Sequence, residues 1–314
     1  MIRIGEKVVS AGSCFAANLV PYLEGAGLTY HRTESRHPAF ASAAPEAFGY
    51  ERFSAAYGNL YTTRQLLQLL RRARGQFMPA EDRWPSGDVI RDPFRPALKY
   101  PARSDREFDA LTRQHLERTL KAFVEADVFI FTLGLTEAWV STNDGAVYPA
   151  CPGTIAGTFD PDRYKFVNFT AQDVADDLRT FIEELRELNP DVRFIVTVSP
   201  VPLVATATGG HALVATTYSK SALRVAAERV KDDLPGVTYF PSYEIITGPQ
   251  APWDFFEKDR RSVTKAGVDC VMSAFLAHCE TSSEIKMPTS VRASKPKATS
   301  IVDAECEEEM VARS

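Results

Sequence analysis

A short apolar segment that stops at a glycine carries the first residues that could do chemistry. Residues 8–11 are apolar or small, and Gly12, Ser13 and Cys14 follow before a helix-like run. A strand that turns sharply into a helix exposes a side chain at the carboxyl edge of a sheet, as nucleophilic catalysis requires. A helix N-terminus would also lower the pKa of a Cys14 thiol. We predict Cys14 as the nucleophile, with Ser13 as its competitor or a helix cap. The alternative is a small buried core cysteine.

Acyl transfer by such a nucleophile also needs a base. The histidines are His31, His37, His115, His211 and His278. His211 follows Gly209-Gly210 in a loop after a predicted strand, so we predict it as the general base or proton donor; a solvated loop histidine is the alternative. Asp259 could orient a base. Glu137 could orient a base or bind a sugar hydroxyl, or it could be a helix-start carboxylate.

Donors for the oxyanion and a surface for the substrate can be predicted from four further positions. The backbone N–H groups of Cys14 and Gly58, together with the Asn59 amide, are candidate oxyanion donors, although Gly58-Asn59 is also typical of a turn. Thr136 can donate a single hydrogen bond. Trp139 could stack on a sugar ring or pack in the core.

The five residues from Gly12 to Ala16 resemble the signature of the GSCFA family. Other blocks resembling this family occur in family order at residues 57–62, 132–139, 197–203, 218–220 and 239–244. The family is similar in organisation to the SGNH (GDSL-type) esterases and acyltransferases. That resemblance places Cys14 at the nucleophile position and Gly134 at the start of the oxyanion-hole block, with Thr136 replacing the family's Asn. The late Asp-x-x-His block is represented by Asp259 to Ser262, without a histidine.

Strand and helix patterns alternate along the chain. Predicted strands cover residues 7–11, 128–133, 193–198 and 237–240, and predicted helices begin at Ser104, Thr170, Tyr218 and Thr264. Alternation with nearly continuous apolar strands predicts an α/β three-layer sandwich with a mainly parallel sheet. The resemblance implies an SGNH-hydrolase-like, flavodoxin-like version of it. Because the candidate residues follow strands, we expect them at one edge of the sheet.

Composition limits the function classes. The chain has 314 residues, is 45% hydrophobic and carries a formal net charge of −5, which is atypical of a nucleic-acid binder. Five dispersed cysteines without a CxxC pair predict reduced thiols rather than a disulfide framework or zinc site. Neither a GxGxxG nor a GxxxxGK[ST] loop occurs, so we expect no cofactor. Without a signal peptide or an apolar stretch of about 18 residues, we expect a cytoplasmic protein without a membrane span.

The domain prediction is one unit over residues 1–283 and a disordered tail over 284–314, where proline, basic and acidic residues leave little for a core. Residues 34–61 and 76–103 are expected to be long excursions that shape a pocket.

The resemblance implies an esterase or acyltransferase acting on O-acyl groups, with a carbohydrate or small-molecule substrate. The missing histidine of the late block keeps a non-catalytic carbohydrate- or ligand-binding domain as the main alternative. A thiol-dependent redox or thioester-handling protein is the third.

Overall fold

A computed structural model of the chain describes residues 1–35, 50, 52–96, 98, 100–251 and 255–281. The strands are β1 (Lys7–Gly12), β2 (Thr29–Tyr30), β3 (Trp84–Ser86), β4 (Val89–Arg91), β5 (Val128–Leu133), β6 (Glu137–Ser141), β7 (Val147–Tyr148), β8 (Tyr164–Asn168), β9 (Arg193–Val198) and β10 (Val237–Phe240). The α-helices are α1 (Leu19–Gly25), α2 (Thr63–Ala73), α3 (Asp105–Val124), α4 (Ala171–Arg186), α5 (Ala212–Asp233), α6 (Ser242–Thr247) and α7 (Lys265–Leu276).

A five-stranded sheet in the order β10-β9-β5-β1-β2 forms the centre of the molecule. All four neighbouring pairs are parallel. When these five strands are renumbered along the chain, their order is 2-1-3-4-5, that of flavodoxin-like sheets. The chain adds β2 on one side of β1 and the later strands on the other side, so the strand order reverses between β1 and β5. Ligands of such sheets bind outside the carboxyl ends of the strands at this switch point. The candidate residues after β1 and β5 therefore flank the expected ligand position.

Both faces of the sheet are covered, because successive side chains of each strand point to opposite sides. On one face, Phe129 and Phe131 of β5 pack with buried residues of α2, α3, α4 and α5. On the other face, Val128 and Ile130 pack with α1, α6 and α7. The three-layer α/β/α sandwich with a parallel sheet is thus confirmed.

A smaller antiparallel sheet, β7-β6-β8, follows β5 at its carboxyl end. It pairs Trp139 with both Tyr148 and Phe166. Because β6 begins at Glu137, the helix-start alternative for this residue is wrong. The small sheet places Glu137 and Trp139 beside the switch point.

Two helix starts differ from the sequence expectation. The predicted helix at Tyr218 begins earlier, at Ala212, with His211 as its N-cap. Cys14 opens a five-residue 3-10 turn, Cys14–Asn18, rather than an α-helix. Such a short turn carries a smaller aligned dipole than an α-helix, so it stabilises a thiolate less.

The predicted tail over 284–314 and most of the expected 34–61 excursion lie outside the described residues. Within the described part, none of the helices combines the length and apolarity that crossing a bilayer requires.

Candidate active site

The turn after β1 depends on a glycine. Gly12 has φ +145°, and a Cβ there would lie 2.5 Å from the Thr132 carbonyl oxygen and 2.8 Å from its Cβ. Both contacts are far shorter than real Cβ atoms show, and the neighbour is a strand of the same sheet. Only glycine therefore lets β1 turn at the switch point.

Ser13 and Cys14 follow at this turn. The Ser13 N–H donates to the Thr132 carbonyl at 3.3 Å, which continues the β1–β5 ladder by one bond. Ser13 is 3% exposed, and its hydroxyl has no hydrogen-bond partner among the described residues. The expected capping bond from its side chain is not formed. Cys14 is half-buried and outside any disulfide, so its thiol is the more accessible of the two candidate nucleophiles.

The Gly58-Asn59 block lies against the same turn. The Leu60 N–H donates to the Gly12 carbonyl at 2.8 Å, and Gly58 has a left-handed φ of +69°. Asn59 is buried, and its amide nitrogen donates to the Tyr61 hydroxyl at 3.2 Å. The segment with Gly58 and Asn59, two of the predicted oxyanion donors, thus lies next to Gly12.

Residues 134–136, which we call the 134–136 turn, form the third side of the site. A Cβ at Gly134 would lie 3.2 Å from Ser13 Cβ. The Thr136 hydroxyl donates to Asn168 Oδ1 at 2.6 Å, and the Thr136 N–H donates to Ser219 Oγ. Because a hydroxyl has one proton to donate, Thr136 in this arrangement holds β8 and has none left for an oxyanion.

A cleft with a volume of about 240 Å³ adjoins this turn. Its lining includes Leu135, Glu137, Trp139, Cys151 and Thr206. The Thr206 hydroxyl donates to the Glu137 carboxylate at 2.6 Å, which fixes this acid at the cleft wall. Burial raises the pKa of the Cys151 thiol to about 11. Cys151 therefore lines the cleft as a neutral group.

Trp139 forms part of the aromatic wall of this cleft. Its ring lies edge-on to Phe159, with centroids 5.3 Å apart, and to Phe166, at 5.8 Å. These contacts fix the orientation of a half-buried indole. These contacts show Trp139 packed against two rings, and its stacking on a sugar stays a prediction.

Asp259 is engaged within its own turn. Its carboxylate accepts the N–H groups of Arg261 and Ser262, both at 2.9 Å, and the Ser262 hydroxyl at 2.5 Å. Partial burial alone would raise the pKa of Asp259, but these hydrogen bonds lower it overall. The Arg261 guanidinium donates to the Pro202 carbonyl at 3.1 Å, which docks the turn beyond the end of β9. Asp259 thus lies at the active edge and stabilises a loop there.

His211 has a local structural contact. Its Nδ1 accepts the Leu213 N–H at 3.1 Å, and the residue is exposed. Ser219, which contacts the 134–136 turn, is eight residues further along α5, or about 12 Å at the rise of an α-helix. The described contacts do not bring His211 to Cys14, and its role as the base stays a prediction.

The three other described histidines lie in three different surroundings. His115 is buried and lies 2.8 Å from the Glu34 carboxylate. His31 lies 2.9 Å from Glu125, which follows the C-terminus of α3. His278 is exposed after α7, and His37 lies outside the described residues.

Sequence reasoning missed three residues that organise the site: Tyr61, Thr206 and Ser219. The Tyr61 carbonyl accepts the N–H groups of Gly134 and Leu135. From the sequence, Lys220 fits either an anion-binding residue or a surface salt bridge; the surface alternative is wrong, because Lys220 is buried. A signal was present, since Lys220 precedes Leu223 and Ala227 at helical spacing on the apolar side of α5.

Among the described residues, no group of three or more His, Cys, Asp or Glu side chains is arranged to hold a metal ion. We therefore assign no metal role to any of the residues described above.

Comparison with known proteins gives one informative match. The model of the GSCFA family matches residues 7–275, which covers β1 through most of α7. None of the curated proteins matches this chain.

Solved structures give only distant similarities. A carbohydrate esterase family 2 enzyme with a carbohydrate-binding domain, from Myceliophthora fergusii, is 12% identical with a TM-score of 0.29; the match covers 88% of this chain and 67% of that one. An acetyl xylan esterase, Est2A, from the rumen bacterium Butyrivibrio proteoclasticus is 12% identical with a TM-score of 0.28, covering 77% of this chain and 56% of that one. At these scores the similarities carry no argument about activity.

Proposed function

The chain belongs to the GSCFA family, and from this premise we propose that it is an SGNH-like esterase or acyltransferase with Cys14 as its nucleophile. The observation that supports this most is the position of Cys14. It follows a glycine-dependent turn at the sheet's switch point, where the Gly12 carbonyl accepts the Leu60 N–H and Ser13 lies against Gly134. A nucleophile with candidate oxyanion donors beside it is the arrangement that acyl transfer requires.

The reaction runs in two steps. The Cys14 thiolate attacks the acyl carbonyl carbon, and the C–S bond forms as the carbonyl electrons move to oxygen. The N–H groups of Cys14 and Gly58 and the Asn59 amide stabilise this oxyanion. When the carbonyl re-forms, the ester C–O bond breaks and the leaving alkoxide takes a proton from protonated His211, the predicted proton donor. Water, or a hydroxyl group of an acceptor, then attacks the thioester carbon and gives its proton to the now neutral His211. The C–S bond breaks, and Cys14 leaves as the thiolate.

The substrate class we propose is an O-acyl ester of a carbohydrate. The cleft beside Leu135 has an aromatic wall at Trp139 and a fixed carboxylate at Glu137. An aromatic face and a carboxylate acceptor together suit a sugar ring, which presents C–H groups on its faces and hydroxyl donors at its rim. The cleft is therefore our candidate for the carbohydrate part, with the acyl carbon directed at Cys14.

Hydrolysis of p-nitrophenyl acetate tests the nucleophile. We expect turnover by the wild-type protein, its loss in Cys14→Ala, and its retention in Cys151→Ala, which removes a thiol from the adjoining cleft. If Cys14→Ala keeps its activity and Ser13→Ala loses it, the nucleophile is Ser13. Equal activity in all variants would reject a nucleophile at this turn.

A glycan ester tests the cleft. Trp139→Ala should raise KM for an acetylated xylo-oligosaccharide and leave KM for p-nitrophenyl acetate unchanged, because only the larger substrate reaches the aromatic wall. A parallel rise for both substrates would show that Trp139 supports the fold rather than the sugar.

One observation favours the alternative of a ligand-binding domain without catalysis. The Asp259 carboxylate is occupied by Ser262 and Arg261, so the late block shows no acid–base pair in the described structure. Glycan binding by calorimetry that persists in Cys14→Ala, together with no turnover of any ester by the wild type, would select this alternative.

A further inference from the structure

We propose that Lys220 is a positioning residue for the Ser13–Cys14 turn and that its buried positive charge favours the Cys14 thiolate. The proposal rests on the proposed function, since it assigns Lys220 a role in preparing that nucleophile. Lys220 lies on α5 with 1% of its surface exposed, and its ammonium group donates to the Gly134 carbonyl oxygen at 2.5 Å.

The burial of Lys220 calls for a specific reason. Lysine is almost never fully buried unless its charge is compensated, because an ammonium group loses its hydration there. Its neighbours on the same side of α5, Leu223, Ala226 and Ala227, are all apolar and buried. A leucine or methionine at position 220 would fill a similar volume without that cost. The carbonyl of Gly134 is therefore the feature that distinguishes this position from the rest of the buried helix face.

The 134–136 turn is held from two sides. On one side, the Tyr61 carbonyl accepts the N–H groups of Gly134 and Leu135 at 3.0 and 3.1 Å. On the other side, consecutive residues of α5 bind it: Lys220 donates to the Gly134 carbonyl, and Ser219 Oγ accepts the Thr136 N–H at 3.0 Å. Every one of these contacts is buried. The turn is thus fixed relative to α5 as well as to its own strand.

This fixed turn touches Ser13, the residue before the proposed nucleophile. A Cβ at Gly134 would lie 3.2 Å from Ser13 Cβ and 3.0 Å from the Tyr61 carbonyl oxygen, so the Gly134 backbone packs directly on Ser13. Any shift of Gly134 would be transmitted to Ser13 and Cys14. Gly134 thus connects the Lys220 hydrogen bond to Ser13. A cation near a partly buried thiol stabilises its thiolate form.

The test measures the reactivity of Cys14 rather than turnover. Iodoacetamide labelling of Cys14 is followed by mass spectrometry from pH 5 to pH 10 in wild type, Lys220→Met, Lys220→Gln and Lys231→Met. Lys231→Met is the matched control, since this substitution removes a positive charge near the exposed C-terminal end of the same helix. We expect both Lys220 variants to move the pH midpoint of labelling upward. Where the pH is below the thiol pKa, labelling should slow by roughly tenfold for each unit by which the pKa of Cys14 rises, because only the thiolate reacts.

The two Lys220 variants separate charge from geometry. The Gln amide can still donate to the Gly134 carbonyl, whereas Met cannot. We expect Lys220→Gln to shift the midpoint while keeping more of the ester turnover than Lys220→Met. If neither Lys220 variant moves the midpoint further than Lys231→Met, the proposal is overturned.

A measurement on the wild-type protein covers the case in which the variants do not fold. In ¹³C-lysine-labelled protein, the Lys220 Cε resonance should show an inflection at the pH where Cys14 titrates, and Cys14→Ser should remove it. No such inflection would overturn the proposal without any Lys220 variant. A clear inflection or midpoint shift without ester turnover would support Lys220 and reject the esterase instead.

Discussion

At the scale of single residues, Ser13 and Cys14 occupy neighbouring positions with different chemical prospects. The Ser13 hydroxyl is buried without a hydrogen-bond partner among the described residues, and burial disfavours the charged alkoxide that it would have to form. Cys14 is half-buried, and a thiolate forms much closer to neutral pH. The more accessible thiol therefore suits the role of nucleophile better than the buried hydroxyl.

His211 can be tested as the base separately from its role as a helix cap. Asparagine is a good N-cap residue but cannot act as a base near neutral pH. We expect His211→Asn to keep the thermal midpoint and to lower ester turnover by about 10²–10⁴-fold, the usual contribution of general acid–base catalysis. His211→Ala should lower both quantities.

Wild-type turnover in His211→Asn would show that the histidine is only a cap. His31→Ala is the control, because that imidazole lies beside Glu125, away from the switch point. Were turnover to survive in every histidine variant, Glu137 would be the next base to test.

The candidate residues were predictable from sequence to unequal degrees. Cys14, Gly58 and Asn59 follow local rules, a turn after an apolar strand or a Gly-Asn pair, and the segments that hold them meet where the Leu60 N–H donates to the Gly12 carbonyl. Tyr61 could not be found in this way, because its carbonyl acts through the backbone and any residue type supplies one. Thr206 contacts Glu137 across 69 positions, a distance over which no spacing rule operates.

At the scale of elements, buried strands were the most predictable. β5, β9 and β10 have the predicted bounds, because each is a short run rich in apolar and β-branched residues within the parallel sheet, and β5 is buried along its whole length. β6, β7 and β8 were missed, since short antiparallel strands with polar residues have a weak pattern. The start of α5 was placed six residues too late because residues 205–211 read as a flexible loop.

The buried contact between Glu34 and His115 of α3 predicts how the stability of the fold depends on pH. The Glu34 carboxylate lies 2.8 Å from His115 Nδ1 and accepts the Ala56 N–H at 2.8 Å. Burial would raise the pKa of Glu34, but His115, Arg95 and these hydrogen bonds lower it from 4.5 to about 2. A carboxyl with a lowered pKa in the folded state contributes stability above pH 4.5 that is lost as pH falls toward 2. Burial lowers the pKa of His115 below 6.5, and this too reduces stability as pH falls.

We therefore expect the free energy of unfolding, measured in urea by tryptophan fluorescence, to be lower at pH 3.5 than at pH 7. Glu34→Gln should be less stable than wild type at pH 7 and should lose less of its stability on acidification. Glu125→Gln is the control, since its pairing with His31 is partly exposed. Equal pH dependence in wild type and Glu34→Gln would contradict this account.

At the scale of the whole molecule, the order of the five strands explains why distant blocks of sequence meet. The segments after β1 and β5 are separated by more than a hundred residues, yet their strands are neighbours with Gly12 opposite Thr132. The strand order reverses at this point, so the connections after β1 and β5 leave in opposite directions and a crevice opens between them. The alternation of strands and helices predicted the sheet, but local patterns do not encode strand order, and the flavodoxin-like order came from the family resemblance.

The extent of the folded unit gives the last prediction. The family match ends at residue 275 and α7 ends at Leu276. Beyond α7, the Glu280 N–H donates to the carbonyl of the buried Ile2 at 2.8 Å, and Cys279 packs on the core that contains Ile2.

Removal of residues 284–314 leaves both contacts in place, so we expect an unchanged thermal midpoint and unchanged turnover. Removal of residues 277–314 takes both contacts away and should lower the midpoint by a few degrees, since about 1 kcal/mol corresponds to roughly 2–4 °C in a large domain. Differential scanning calorimetry of the two truncated proteins compares them directly. A lower midpoint already on removal of 284–314 would place stabilising contacts in that segment and contradict the sequence-based boundary at residue 283.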